Sequence, residues 1–482
     1  MSDGRVRTFV LVLAAASVLA GCSGSGTHFG GGQTDNVPVT TSMSSVGDTP
    51  PAGVSVLSLQ VTITDARLNP GNMELLAAPV TIDLARLQTE TSLLSAANVA
   101  PGTYTSLALT IAPNPMLSFQ NNTGATLTVG GAQCANAAVC EAGLVTASDS
   151  QSVSFPGAGI TLVPSTPAAL LIDVNLSDLL SGAANTISVN LGVNGALAAS
   201  QIVPQQGSPF ETLEDVGGVV SGPSNGAFVL QTALGNYNIT TNSTTQYLNF
   251  PTGVCSPVGF ACIQASEIVS VNMSLQTTNT LVATDVFFED ASTALPEIEG
   301  VVVATGGLPG QFSMVVLQEA PAASGPAIGG EVEVALTNNA PTFGIDNLVG
   351  TLNTSAFSFA GSSDMVVGQE VAVQQGAGST ASVIQAKRVL LRSSRITGTV
   401  AMTAFPDFTL NSLPPFLQNA SPAITQIEIE TATEFTPNGT EYGGTAPIIS
   451  DIADGHNISV RGQLFANSGS RALLATRAIQ HN

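Results

Sequence analysis

Short segments of alternating apolar and polar residues recur along the chain, and they constrain its fold more than any other feature. They include residues 57–64, 107–111 and 187–193. A period of two is typical of a strand with one buried and one solvated face. Glycine (48 residues) and proline (27 residues) interrupt these segments, and short helices fit only at 82–88 and 177–180. The pattern predicts a mostly β protein, with an antiparallel β-sandwich over residues 54–205.

Residues 216–482 carry the same order of strand signals three times. Each unit opens with a strand that begins at a glycine, continues with an apolar-x-apolar strand and closes with a third strand. The opening strands are 218–220, 300–302 and 398–400, the middle strands are 269–271, 371–373 and 458–460, and the closing strands are 283–286, 386–389 and 475–478. We therefore predict three small β-barrel-like repeats, over 216–291, 298–393 and 395–482, strung like beads with separate cores.

The first residues carry the pattern of an export signal. Two arginines precede an apolar run over residues 9–20, which is shorter than the roughly 20 residues of a membrane-spanning helix. Residues 19–22 (LAGC) resemble the bacterial lipobox, at which diacylglycerol is attached to the cysteine and the chain is cleaved before it. The resemblance implies a lipoprotein signal peptide over 1–21 and a lipid on Cys22. The alternative is ordinary secretion, with Cys22 incidental.

The segment that follows has the composition of a linker. Residues 22–53 are rich in Gly, Ser, Thr and Pro, which predicts a flexible tether between the lipid and the folded region. Acyl chains contribute about 0.8 kcal/mol per buried CH₂, so they hold a protein on a membrane without a spanning segment. Ser23 after the cysteine resembles the outer-membrane sorting pattern of well-studied Gram-negative bacteria. We expect a lipid-anchored envelope protein at the outer membrane, on either its periplasmic or its surface face.

The other four cysteines form two close pairs. Cys134 and Cys140 close one very short loop, and Cys255 and Cys262 close another. An exported protein meets an oxidising compartment, so each pair is predicted to form a disulfide, with four buried thiols as the alternative. Zinc is disfavoured, because the spacings lack the Cys-x₂₋₄-Cys knuckle and no histidine lies near either pair. We expect no metal and no cofactor.

Several short motifs carry family resemblances. They are Asp65-Ala66, Ile82-Asp83-Leu84 with Leu87, Pro101-Gly102-Thr103-Tyr104 and Leu171-Ile172-Asp173-Val174 in the first region, and Gly455 to Val460 in the last repeat. The first four resemble the bacterial domain of unknown function numbered four-three-eight-two, which occurs in exported lipoproteins and has no established activity. The last resembles the small β-barrel domain of unknown function numbered five-six-six-six. In the first repeat, Ser266 replaces the glycine of this pattern.

The charges exclude one class of partner. The chain has 33 acidic and 11 basic residues and a net charge of −22 at pH 7, so it would repel the phosphates of nucleic acid. A local basic cluster comprises Lys387, Arg388, Arg392 and Arg395. We interpret it as a solvated strand edge that blocks aggregation, with a bridge between repeats or an acidic partner as alternatives. The acidic residues of 211–215 are interpreted as a linker between the first region and the repeats.

Two sequence patterns are compatible with hydrolytic catalysis, but simpler interpretations are favoured. Residues 222–226 (GPSNG) match the Gly-x-Ser-x-Gly elbow of hydrolases, yet a strand and not a helix follows them, so we predict a hairpin turn. The three histidines fall in the tether, in a turn and at the C-terminus, and nothing places them together. They are His28, His456 and His481.

Carboxylates offer two further candidate sites. Glu428 and Glu430 alternate with isoleucines on a predicted strand, about 7 Å apart, which is within the span that glycosidases use. A catalytic acid needs burial to raise its pKa, so we predict a solvated face instead. Calcium binding by the acidic loop that includes Asp451, Asp454 and Asn457 stays open.

Together these patterns predict no catalytic residues and a binding or scaffolding role. We expect a lipid-anchored envelope protein that contacts a protein or a polysaccharide through sheet edges and loops. Two alternatives stay open: a hydrolase of envelope polymers with an unrecognised carboxylate site, and an assembly factor for an outer-membrane complex. A hydrolase requires convergent titratable groups in a cleft, whereas an assembly factor requires a large exposed apolar patch.

Overall fold

A computed structural model describes most of the chain from residue 36 onwards. The described residues are 36–46, 53–183, 186–203, 210–232, 235–249, 255–288, 295–306, 310–337, 340–346, 357–404, 407–431, 452, 454–466 and 471–481. Strands dominate, as the alternation predicts, and helices are confined to single turns. Among these residues no helix combines the length and the apolar character that crossing a membrane requires.

The first region is a β-sandwich. Its strands are β1 (Val37–Val46), β2 (Val54–Asn69), β3 (Met73–Glu74), β4 (Val80–Asp83), β5 (Ser92–Val99), β6 (Gly102–Tyr104), β7 (Ser106–Ile111), β8 (Met116–Asn121), β9 (Leu127–Val129), β10 (Ala132–Cys134), β11 (Val139–Gly143), β12 (Val145–Ser148), β13 (Ser150–Ser154), β14 (Ile160–Leu162), β15 (Ala168–Asn175), β16 (Leu180–Ala183), β17 (Thr186–Asn190) and β18 (Leu197–Ile202). A 3₁₀ turn spans Arg86–Gln88, and helix α1 spans Leu176–Leu179.

Two main sheets enclose the core of the sandwich. One has the order β18-β15-β1-β5, and the other is built around β2, which pairs with β7 and β8 and also with β3 and β4. The alternation of β2 places Leu59, Val61 and Ile63 in the core, while Thr64 on the opposite face is exposed. Helix α1 begins at Asn175, whose side chain accepts hydrogen bonds from the first backbone N–H groups of the helix.

The tether prediction for residues 22–53 is wrong over residues 37–46. These residues form β1, the strand between β15 and β5, and β1 runs parallel to β15. Because half of the residues of β1 are Thr or Ser, the strand lacks the alternation of apolar and polar residues that predicts strands. Thr and Ser side chains nevertheless fit in a strand that lies between two neighbours. Among the side chains of β1 that the structure describes, Val37, Val39 and Met43 pack in the core. The remainder of the predicted tether lies outside the described residues.

The second region contains three barrels. Barrel 1 has strands β19 (Glu211–Ser224), β20 (Ala227–Gln231), β21 (Asn236–Thr240), β22 (Gln246–Leu248), β23 (Ile268–Leu275) and β24 (Leu281–Phe288). Barrel 2 has β25 (Glu297–Thr305), β26 (Gln311–Ala320), β27 (Glu331–Ala335), β28 (Thr342–Ile345), β29 (Glu370–Gln375) and β30 (Val383–Leu391). Barrel 3 has β31 (Ser393–Ala404), β32 (Asp407–Asn411), β33 (Ile427–Thr431), β34 (Asn457–Ala466) and β35 (Arg471–His481). The 3₁₀ turns Phe260–Cys262 and Ser362–Asp364 and helix α2 (Pro415–Gln418) connect strands.

All three barrels share one topology, which confirms the predicted repeats. In each, the first strand pairs with the second and with the penultimate one, the last two strands pair antiparallel, and the third strand closes the sheet by pairing parallel to the last. The glycine that opens each repeat has a common cause. A Cβ at Gly218, Gly300 or Gly398 would lie only 2.6, 2.1 or 2.7 Å from a carbonyl oxygen of the second strand. Only glycine permits this close approach of two backbones.

Substitution of Gly300 tests that packing. Gly300→Ala should destabilise the protein by about 1–3 kcal/mol, because the new methyl group overlaps the carbonyl oxygen of Val315 and strands must shift. Gly361→Ala is the matched control in the same barrel, since no atom lies within 4 Å of its Cβ position and its backbone is extended (φ −173°). Urea denaturation of both variants compares them. Equal stability of the two variants would refute the close-approach explanation.

The position of Ser266 in barrel 1 is occupied by a glycine in barrels 2 and 3. Gly368 and Gly455, which precede β29 and β34, have φ of +91° and +82°. Ser266 occupies the same position before β23 and also has a positive φ, +72°. This left-handed conformation costs a non-glycine residue about 1–2 kcal/mol. The first repeat therefore keeps the turn geometry of the other two with a less suitable residue.

The units do not have separate cores, so the picture of separate beads is wrong. Ala169 and Leu171 of the sandwich belong to the core of barrel 1, and Leu57 belongs to that of barrel 3. Phe465 of barrel 3 packs in the core of barrel 2 and stacks on Phe357 with ring centroids 4.6 Å apart. Hydrophobic side chains thus cross every one of these boundaries. Residues 35–482 form one compact unit.

Candidate functional site

Buried charged side chains meet where the sandwich and the three barrels come together. This ion network comprises Arg86, Glu90, Glu214, Asp215, Glu297, Glu299, Asp346, Glu370, Arg388, Arg392, Arg395 and Arg461. The sandwich supplies Arg86 and Glu90 from the 3₁₀ turn and the residues after it. Barrel 1 supplies the two acids of β19. The others come from barrels 2 and 3 and from the junction between them.

The prediction that residues 211–215 form a linker is therefore wrong. They open β19, and a β-bulge between Leu213 and Val216 interrupts its pairing with β23. Asp215 lies in this bulge with φ +58°, receives a hydrogen bond from Ser270 at 2.9 Å, and donates its backbone N–H to Asn272 at 2.8 Å. The bulge adds one residue to β19 relative to its partner and so changes which side chains point inward. It places the Asp215 carboxylate in the interior.

Arg392 is the centre of one half of the network and is only 1% exposed. Its Nη1 contacts the carboxylate of Asp346 and lies 3.6 Å from Oδ1 of Asp215. Its Nη2 lies 3.3 Å from Oε1 of Glu297, and its Nε lies 3.7 Å from Oε2 of Glu299. The guanidinium of Arg392 therefore joins barrels 1 and 2. Along the chain, Arg392 is the residue between β30 of barrel 2 and β31 of barrel 3.

Arg461 is the centre of the other half and is equally buried. Its Nε lies 3.1 Å from Oε1 of Glu90, its Nη1 contacts Glu214, and its Nη2 lies 3.4 Å from Oδ2 of Asp215. Arg395 contacts Glu90 as well. Barrel 3 is thereby connected to the sandwich and to barrel 1 through charge-assisted contacts.

Arg86 links the sandwich to barrel 2. Its Nη2 lies 3.6 Å from Oε1 of Glu299, and its Nη1 donates to Oε1 of Gln318 at 3.4 Å. Neutral hydrogen bonds support the same interface, since the side chain of Gln60 donates to the Ile328 carbonyl at 2.7 Å. The four units are therefore positioned by directional contacts in addition to apolar packing.

The basic cluster at 387–395 is not an ordinary solvated edge. Lys387 is exposed, but Arg388 is half-buried, and Arg392 and Arg395 belong to the network. The cluster bridges repeats, which was one of the two alternatives. Its partners lie at very different distances along the chain: Arg395 is 25 positions from Glu370 and 305 positions from Glu90.

The network contains seven carboxyl groups and five guanidinium groups, and this surplus of acid has a consequence. Burial raises the pKa of Glu299 well above its ordinary value, the carboxylates of Asp215 and Glu370 raise it further, and Arg86 and Arg392 offset only part of this. For Glu90 and Asp215, burial also raises the pKa, but the nearby arginines outweigh it and the net shift is downward. Glu299 therefore retains its proton at a pH at which Glu90 and Asp215 are ionised.

The raised pKa of Glu299 makes stability depend on pH. The folded state binds a proton that the unfolded chain releases near pH 4.5, so stability falls as the pH rises from there to the folded-state pKa. Glu299→Gln removes this dependence. Its stability advantage over the parent should grow by up to about 1.4 kcal/mol per pH unit in that window. Urea denaturation at pH 5, 6, 7 and 8 checks this, and an advantage that does not change with pH would contradict it.

A cleft separates the sandwich from barrel 1, beside the network. This barrel-1 cleft has a volume of about 720 Å³ and is lined by β4 and the start of β5 on one side and by β20 and β21 on the other. Arg86, Glu90, Glu214 and Asp215 lie at its wall, together with Tyr237. Its volume lies within the range of small-ligand sites, about 300–1,000 Å³.

A second cleft lies between the sandwich and barrels 2 and 3. This barrel-3 cleft has a volume of about 440 Å³ and is lined by the start of β2, by β31 and by the segment that contains α2. Arg86 also lines this cleft, together with Glu370 and Arg395. The ion network therefore contributes to the walls of both clefts.

The disulfide prediction agrees with the structure, while the lipid site is outside the described residues. Cys134 and Cys140 are bonded with Cα atoms 5.9 Å apart, and Cys255 and Cys262 are bonded with Cα atoms 5.7 Å apart. Each bridge closes a local loop. Cys22 lies outside the described part of the chain, so its modification stays a prediction.

The turn at residues 222–226 and the exposed position of Glu428 agree with the interpretations made from the sequence. Residues 222–226 join β19 to β20 as a hairpin turn, with positive φ at Asn225 and Gly226 (52° and 77°), the combination typical of a type I′ turn. Glu428 is exposed, whereas the flanking isoleucines of β33 are buried. The side chain of Glu430 and residue Asp451 are outside the described part, so the glycosidase pair and the calcium loop are not described in full.

The histidines contribute no described cluster. His456 is exposed before β34, the backbone of His481 ends β35 opposite Asn457, and His28 lies outside the described residues. Within the described ranges, no group of three or more His, Cys, Asp or Glu side chains is arranged to hold a metal ion.

The network was missed by sequence reasoning, although one signal pointed to it. Basic residues are rare in this chain, so several arginines near each other between two repeats indicate buried acidic partners. Comparisons with known proteins add no functional assignment. No family model matches the chain, and no curated protein matches it.

Proposed function

We propose that this protein is a lipid-anchored, non-catalytic binding protein of the cell envelope, attached through Cys22 to the outer membrane. The observation that supports binding is the ion network, which positions the sandwich and three barrels around two clefts. A preformed cleft lowers the entropic cost of binding, because its walls need no ordering when a partner arrives. The apolar run over residues 9–20 and the lipobox-like residues 19–22 support the location.

The carboxylates of the barrel-1 cleft favour binding over hydrolysis. Glu90 and Asp215 have lowered pKa values, which leaves both ionised and unable to donate a proton to a leaving group. Burial raises the pKa of Asp83, but both its oxygens accept hydrogen bonds within the sandwich, from Ser58 and from two backbone N–H groups. Glu299 has a raised pKa too, but lies outside the lining of both clefts.

Photo-cross-linking in intact cells tests this function. A photoreactive amino acid at Asn238, which is exposed and lines the barrel-1 cleft, should capture an envelope component. The same group at Ser243, exposed in the turn before β22 and outside the cleft lining, is the control. Capture at Asn238 that is absent at Ser243, with the captured component intact, supports binding. Capture at neither site would refute the proposed binding cleft, and a cleaved component would favour the hydrolase.

A further inference from the structure

Two strands that lie at or near the edge of their sheets line the barrel-1 cleft. β5 is the last strand of its sheet, and residues 92–96 of this strand line the cleft. β21 lines the opposite wall. One of its edges pairs with β20, and among the described residues its other edge pairs with β24 through Ile239 and Thr240. The edge of a sheet presents unpaired backbone N–H and C=O groups, which can bind an extended peptide as an added strand.

The charges at the cleft favour a cation. Glu90, Glu214 and Asp215 line it, but a single basic side chain, Arg86, is found in the described lining. Asp83 also lines the cleft, but burial raises its pKa and its oxygens accept hydrogen bonds within the sandwich. Arg461 behind the wall offsets part of the negative charge, and Glu299 adds none because it retains its proton, yet the other carboxyl groups of the network still outnumber its guanidinium groups by one. The chain as a whole carries a net charge of −22 at pH 7. A ligand with a positive group would be attracted, and one with a negative group repelled.

The apolar side chains that line the barrel-1 cleft, beside its acidic residues, suit the aliphatic stem of a basic side chain. Leu93 and Tyr237 pack on the apolar core of barrel 1 and line the cleft. Leu213 of the same core lies beside them in the lining. Such surfaces hold the methylene stem of lysine or arginine while its head reaches a carboxylate. The ring of Tyr237 is neutral, since burial raises its pKa, and an aromatic face attracts cations.

From these three features we propose that the barrel-1 cleft binds an extended peptide segment that carries a lysine or arginine side chain. The backbone of the peptide pairs with the edge of β5 or of β21. Its basic side chain passes over Leu93 and Tyr237 towards Glu214 and Asp215. This inference rests on the proposed binding function and specifies the ligand class of the same cleft.

Peptide titration of the full-length acylated protein in detergent tests the inference. The probe is a fluorescent peptide of sequence Thr-Val-Lys-Val-Thr-Val with blocked ends, and the comparison peptide has Glu in place of Lys. Fluorescence anisotropy should show that the Lys peptide binds at least about tenfold more tightly, and that added salt weakens its binding. Equal binding of the two peptides, or binding of neither, would overturn the proposal.

Variants of the protein locate the binding. Asn238→Trp fills the cleft from an exposed position and should weaken the Lys peptide by at least about tenfold, while Ser243→Trp should leave it unchanged. Glu214→Gln should weaken binding of the Lys peptide and should not weaken binding of the Glu peptide. Equal effects of the two tryptophans would overturn the location. Cadaverine has the aliphatic stem and the ammonium group of lysine but no peptide backbone. If it displaced the Lys peptide at an equal concentration, pairing of the peptide backbone with a strand edge would be contradicted.

The outcome separates this inference from the proposed function. If Asn238 captures a polysaccharide in cells and the peptide does not bind, the cleft is a binding site and the peptide inference is wrong. If capture at Asn238 and peptide binding both fail, the proposed function fails as well. Capture of a protein whose cross-linked segment contains no lysine or arginine would also contradict the inference.

Discussion

Arg392→Met should lower the free energy of unfolding by about 3–5 kcal/mol, the loss expected when one partner of a buried ion pair is removed. The carboxylates of Asp215, Glu297 and Asp346 would lose their shared guanidinium and stay buried. Methionine keeps the unbranched apolar stem of the side chain and removes the guanidinium, so the loss is mainly electrostatic. Urea denaturation measures the change, and limited proteolysis should show cleavage between barrels.

Arg67→Met is the matched control for this change. Arg67 pairs with Asp65 at 2.7 Å, but both side chains are about one-third exposed (32% and 34%). A solvated ion pair contributes little, so this variant should lose far less stability than Arg392→Met. If both variants lost the same small amount, the ion network would not be what holds the four units in place.

Cys22→Ser should move the protein from the membrane pellet to the soluble envelope fraction. Without the cysteine there is no thiol to receive diacylglycerol, and the acyl chains that contribute about 0.8 kcal/mol per buried CH₂ are absent. Intact mass of the parent should show acylation at Cys22, and the variant should lack it. The double variant Cys134→Ser/Cys140→Ser is the control and should stay with the membrane. A parent protein with an unmodified first residue would contradict the anchor.

Alternation and turn residues predicted the strands well, because period two depends only on neighbours along the chain. The three repeats, the short disulfide loops and the turn at 222–226 all follow from such local signals. β1 was missed because residues 40–45 include Thr, Ser and a single Met, and they alternate weakly. Its burial results from the strands on either side, which no local pattern reports.

Bulges caused the other differences between sequence and structure. A bulge between Val56 and Ser58 in β2 places Leu57 in the core of barrel 3, outside the simple alternation. The bulge at Asp215 places an acid in the interior. A one-residue insertion exchanges the faces of a strand, and no periodicity reveals in advance where it occurs.

The ion network could not be derived from sequence for a related reason. Some of its members are hundreds of residues apart, as Glu90 and Arg395 are, and their pairing depends on how the folded units pack. The sequence showed a basic cluster at 387–395 and acids at 211–215, but not which of them become buried together. The clefts likewise exist only between units, so they have no local signature.

A distance distribution between barrel 1 and barrel 3 tests most directly whether the four units form a single body that holds the clefts open. Spin labels can be attached through non-natural amino acids at Ser243 and Asn419, both exposed, without disturbing the disulfides. Double electron–electron resonance should give a narrow distribution of distances between the two labels in the parent protein and a broad one in Arg392→Met. A broad distribution in the parent would show barrels that move independently, and would contradict the fixed arrangement on which the binding function depends.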